Sequence, residues 1–70
     1  MAKDEMVVVY DVIALKETAQ ALLVEVDNKE HWVPKKFISA EESEVVSEGD
    51  HGDLVVSAFI AKDRGWDYES

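Results

Sequence analysis

Residues 21–34 read ALLVEVDNKEHWVP, and this stretch decides the fold. Ala19–Val26 alternates, with Leu22, Val24 and Val26 on one face and Leu23 and Glu25 on the other. That period of two is the mark of a half-buried strand. Asp27, Asn28, Lys29 and Glu30 follow, with Asp and Asn where a tight turn wants them. His31–Trp32–Val33 resumes the strand, and Pro34, which has no N–H to give, stops its ladder. Together Ala21–Pro34 make a β-hairpin.

N-terminal to the hairpin, Met6–Leu15 is dense in β-branched residues, which pack well on a pleated surface. Val7, Val9, Ile13 and Leu15 alternate with Val8, Tyr10, Val12 and Ala14, so both faces are apolar. A strand covered on both sides, or one curling at a barrel corner, reads this way. Asp11 interrupts the run and marks an exposed bend or bulge. Lys16–Thr18 reads as a polar connection.

C-terminal to the hairpin, Lys35–Ile38 is an irregular or single-turn segment whose Phe37 and Ile38 plug the open end of the sheet. Val45–Val46 reads as a short strand, Gly49–Gly52 as a turn, and Leu54–Ser57 as a further strand. Ser57 is placed to cap a helix over Ala58–Arg64, which Gly65 ends. The expected fold is one small domain over residues 1–70, mainly β with a short C-terminal helix. Its architecture is an SH3-like or OB-like barrel or a curved antiparallel sheet, with strand order open.

The chain has 70 residues, no cysteine and a formal net charge of -9. It has no disulfide or thiolate zinc site to staple it, so packing and backbone pairing must hold it. Met1–Glu5 lacks the basic and apolar regions of a signal peptide, and no apolar run approaches a membrane span. The expected setting is the cytoplasm, with no membrane partner. Such an acid excess repels nucleic-acid phosphates and attracts basic grooves, although it also keeps a small protein soluble.

Six of the sixteen acids fall in one run without a Lys or Arg: Glu41, Glu42, Glu44, Glu48, Asp50 and Asp53. This run is the candidate partner-binding face, since carboxylates can pair with Lys or Arg on a partner. Glu25, Glu30, Asp63, Asp67 and Glu69 could extend it. Trp32, inside a hairpin strand, reads as core against Leu22 or Val24. Trp66 has two readings, a cover over the barrel mouth or an anchor in a partner's pocket, and is counted with the partner-binding residues. His51 with Asp50 and Asp53 has no recognised metal-ligand spacing, so neither a metal nor another cofactor is expected. Lys35–Lys36 is a poor footprint for nucleic acid against the overall charge. Nothing pairs a nucleophile with a base or cradles a phosphate, so no enzyme is expected.

Two stretches look like a known group: Ala21–Ile38, and Gly49–Val56 leading to Ala61–Trp66. They resemble small phage and prophage proteins that share a strand, an Asp-Gly-like turn, a Trp-[Ile/Val]-Pro-Lys step, a Gly-Asp-x-Gly turn and a closing helix. The likeness covers about half of the chain. This sequence departs from the pattern at Asn28, where glycine is usual, and at Lys36–Phe37, where polar residues are usual. By analogy of size, charge and setting, the resemblance implies an anti-CRISPR-type inhibitor that mimics DNA. Its partner would be a host protein with a basic nucleic-acid-binding surface, such as a CRISPR-Cas component, met by a monomer. The alternatives are a barrel that binds single-stranded nucleic acid, and a structural module that oligomerises through Met6–Leu15.

Overall fold

The computed structural model describes residues 5–69. Met1–Asp4, most of the stretch whose composition argues against a signal peptide, lie outside them. Four strands form one antiparallel sheet: β1 (Met6–Glu17), β2 (Ala21–Val26), β3 (Lys29–Pro34) and β4 (His51–Ser57), in the order β3-β2-β1-β4. A helix, α1 (Ala58–Arg64), follows. The mainly β fold with one late helix is therefore what the sequence indicated.

The hairpin forms as read, but its turn is tighter. Asp27 and Asn28 take φ of 53° and 67°, and Val26 already pairs with Lys29. Two consecutive left-handed residues match the right-handed twist of the strands they join. The register then sets Leu22 against Val33, Leu23 against Trp32 and Glu25 against Glu30.

β1 runs through Lys16 and Glu17, where the polar sequence predicts a connection. The turn is made instead by Thr18, whose Oγ1 accepts from the Ala21 N–H at 3.0 Å. Asp11 sits at φ 59°, where the β1–β4 register shifts between Val9 and Val12. Tyr10 and Asp11 there stand opposite Asp53 alone, so the expected bulge is present and bends the strand. A second shift lies between Ala14 and Lys16. With these two kinks β1 serves β4 along one flank and β2 along the other, and the sheet curves.

Curvature brings the far edges near each other. The chain leaving β3 makes one 3-10 turn, Lys35–Phe37, and Ile38 then bridges Val56 on β4. The closure stops at that isolated bridge, so the result is a curved, unclosed sheet. Val7, Val9, Val12, Leu22, Val24, Val33, Leu54 and Val56 fill the concave side, with Ile60, Ala61 and Trp66 from the helical end. Phe37 and Ile38 pack against this core from the gap, and Phe37 meets Phe59 edge to face at 4.8 Å.

The expected strand at Val45–Val46 is absent. Val45 is instead an apolar peg, fully buried, that pins the loop between Ile38 and β4. Ser57 stands at the helix N-cap position but makes no side-chain capping bond; its hydroxyl approaches Met6 Sδ at 3.9 Å. Gly65, at φ 73°, ends the helix as read. Its N–H donates to the Lys62 carbonyl and that of Trp66 to the Ala61 carbonyl, a Schellman closure.

Candidate acidic interface

The acidic run 41–53 turns out to be braced from within. Asp50 Oδ2 accepts from the N–H groups of Val46 and Ser47 at 3.0 and 2.9 Å. Glu44 Oε1 accepts from the Asp53 N–H at 2.9 Å and lies against Gly52, where a Cβ would overlap it. Backbone bonds between Ala14 and both Gly49 and Asp50 tie the loop to β1. Two of the six carboxylates thus hold the loop's shape, whereas Glu41, Glu42 and Glu48 are exposed with no hydrogen-bond partner for their side chains among the described residues.

Beside this loop, Glu17 accepts the Lys35 ammonium at 2.5 Å and the Glu48 N–H at 3.4 Å. The Lys35 bond, more than the Glu48 one, holds the Glu17 carboxyl below its usual range.

A second group of acids is assembled only by the fold. Glu69 bridges Val8 through backbone bonds in both directions, which brings the C-terminal tail alongside β1. A cleft of about 300 Å³ opens there, lined by Val9, Tyr10, Asp11, Val26, Asp27, Asp67, Tyr68 and Glu69. A hollow of about 280 Å³ adjoins it, lined by Asp11, Ile13, Glu25, Asp27 and Asn28. Asp11 and Asp27 belong to both, and among the described residues no Lys or Arg lines either. The β1 bulge and the β2–β3 turn present these two aspartates, and the tail supplies Asp67 and Glu69.

Tyr10 donates to Glu69 Oε1 at 2.6 Å. That bond, followed by desolvation and then the charges of Glu69 and Asp53, raises the phenol above its ordinary pKa. Tyr10 therefore stays protonated and acts as a donor here. Asp53, opposite the bulge, links the acidic run to this end of the molecule.

Trp32 lies outside the core expected of it, whereas Trp66 takes the covering one of its two readings. Trp32 is 46% exposed and Trp66 only 5%. Trp32 stands outside because Leu22 and Val24 fill the concave side opposite Val33 and His31. Trp66 enters the core as the apolar residue that completes the Schellman motif, so its side chain is withdrawn from the partner-binding set. Its Nε1 is buried without a hydrogen-bond partner among the described residues.

Among the described residues, no three His, Asp or Glu side chains are placed to hold a metal ion, and no helix is long and apolar enough to cross a membrane. His51 is exposed at the start of β4, and Asp50 beside it is engaged by the loop backbone. The chain matches no protein-family model, curated protein or solved structure.

Proposed function

We propose that this chain is a non-catalytic binding module whose acidic end occupies a basic surface of a partner protein. The observation that supports it most is the convergence of Asp11, Asp27, Asp67 and Glu69 on one cleft without a base among the described residues that line it. Crowded carboxylates repel one another, and a cationic partner relieves that repulsion. Glu25 and Asp53 enlarge the face, and the exposed Glu41, Glu42 and Glu48 form a second acidic outpost. A basic groove built to bind phosphates is the complementary partner, which makes inhibition of a nucleic-acid-binding complex, including a host-defence complex, the consequence of binding.

The test is retention of bacterial lysate proteins on the immobilised chain, followed by elution with excess DNA. The wild type is expected to retain basic nucleic-acid-binding proteins that DNA displaces, with retention falling as salt rises. The D27N/D67N/E69Q variant should lose them. An E41Q/E42Q/E48Q variant tells which acidic group leads. Retention that neither DNA nor salt disturbs would remove this reading.

A further inference from the structure

The convex side of the sheet sets exposed apolar side chains among polar ones, beside an unbalanced charge pair. Two cross-strand rows define it: Trp32, Leu23 and Lys16, and next to them Glu30, Glu25, Ile13 and His51. Trp32 and Ile13 are both exposed large hydrophobics on this face. Glu25 and Glu30 stand directly opposite each other, and neither has an ion pair among the described residues. Like charges opposed across strands destabilise a sheet. The fold thus keeps a local conflict beside an exposed tryptophan.

We infer that Trp32, with Glu25 and Glu30, is the docking point for an arginine-bearing segment of the protein partner. A guanidinium can bond two carboxylates through its fork and stack on an indole face, which a compact ammonium does less well. The hollow over Ile13, walled by Asp11, Glu25 and Asp27, continues this surface into the acidic end. A second copy of the chain is the poorer occupant. A stable homodimer buries about 800 Å² on each partner, whereas two rows about 7 Å apart, the longer crossing four strands over roughly 15 Å, cover far less. The net charge of -9 opposes self-association as well. This inference rests on the proposed basic partner and adds its anchor and its chemistry.

The test uses a short oligoarginine peptide at low salt, followed by NMR of the two indole N–H signals. The Trp32 signal should shift saturably while that of buried Trp66 stays in place, which also reports that each variant is folded. E25Q/E30Q and W32A should each weaken binding about thirtyfold, the scale of an interface hot spot. If the peptide binds but Trp32 does not respond and W32A binds as wild type, the anchor is overturned and the acidic-end reading survives. If the peptide does not bind at all, that reading falls and takes the anchor with it. A dimer in light scattering that W32A abolishes would assign the face to a second copy and overturn the inference.

Discussion

His31 and Trp66 meet edge to face, with ring centroids 5.2 Å apart and planes at 81°. One ring comes from β3 and the other from the residue just after the helix-ending Gly65, so this contact fastens the C-terminal tail to the β3 edge of the sheet. The tail in turn supplies Asp67 and Glu69 to the acidic cleft. Core packing and the candidate interface therefore share a hinge point.

That contact is sensitive to acid. Burial, with smaller contributions from the Arg64 and Lys29 charges, lowers the His31 pKa from its usual 6.5. The folded chain resists a proton that the unfolded chain accepts, so stability rises with pH across this window. The contribution is present above pH 6.5 and is lost as pH falls through the lowered folded value. Urea midpoints should drop between about pH 7.5 and pH 5.5 in the wild type. His31→Phe keeps an aromatic contact and removes the titration, so it should flatten that drop. Equal slopes in the two proteins would show that another group titrates.

The β2–β3 turn makes a sharper demand on residue type. Asn28 sits at φ 67°, a region that a β-branched residue enters only with strain. Asn28→Val should cost about 1–2 kcal/mol in urea denaturation. Asn28→Gly should stay within about 1 kcal/mol of wild type, because its ease at positive φ is offset by greater freedom in the unfolded chain. A tolerated valine would mean that the turn is not of this kind.

Local features of the fold were legible in the sequence because each depends on neighbours in the chain. The hairpin, the Asp11 bulge and the Gly65 stop all belong to this kind. Trp32 is the instructive miss. Alternation from Leu22, Val24 and Val26 through a tight turn already set Val33 inside and Trp32 outside, but the ring's apolar area argued for the core. Period decides the face of a strand, and residue size does not. Trp66 carried the opposite signal, since an apolar residue just after a helix-ending glycine packs back on the helix. The acidic end could not be read, because Asp11, Asp27 and Glu69 meet only through the bridge of Val8 to the tail.

Gly52 holds the acidic loop against β4. Its φ is 146°, which L side chains rarely adopt, and a Cβ there would overlap the Glu44 carboxylate that accepts from the Asp53 N–H. Gly52→Ala should therefore destabilise by about 1–3 kcal/mol. In a Glu44→Ala background the overlap with that carboxylate disappears, leaving the backbone strain and the close approach to the Cβ at position 44, so the glycine substitution should cost less. A double-mutant cycle by urea denaturation measures this difference, and a zero coupling energy would show that the two residues do not interact.

The acidic end makes a prediction in which stability and binding move apart. Asp11, Asp27, Asp67 and Glu69 line one cleft without a base among the described residues, so their mutual repulsion works against the fold. Raising ionic strength from about 0.01 M to 0.15 M shortens the screening length from about 30 Å to 8 Å. The thermal midpoint of the wild type should rise over that range. Asp67→Asn leaves Tyr10 and Glu69 untouched and removes one of the crowded charges. It should raise stability at low salt by a few tenths of a kcal/mol, as exposed charge pairs do, and should flatten the salt response. Partner retention should weaken in the same variant. Carboxylates crowded for a partner would show this opposition, since relieving their repulsion also removes part of what a basic surface recognises. Acids serving only solubility would let Asp67→Asn stabilise the fold with no loss of retention, and thermal melts run beside the retention assay separate the two outcomes.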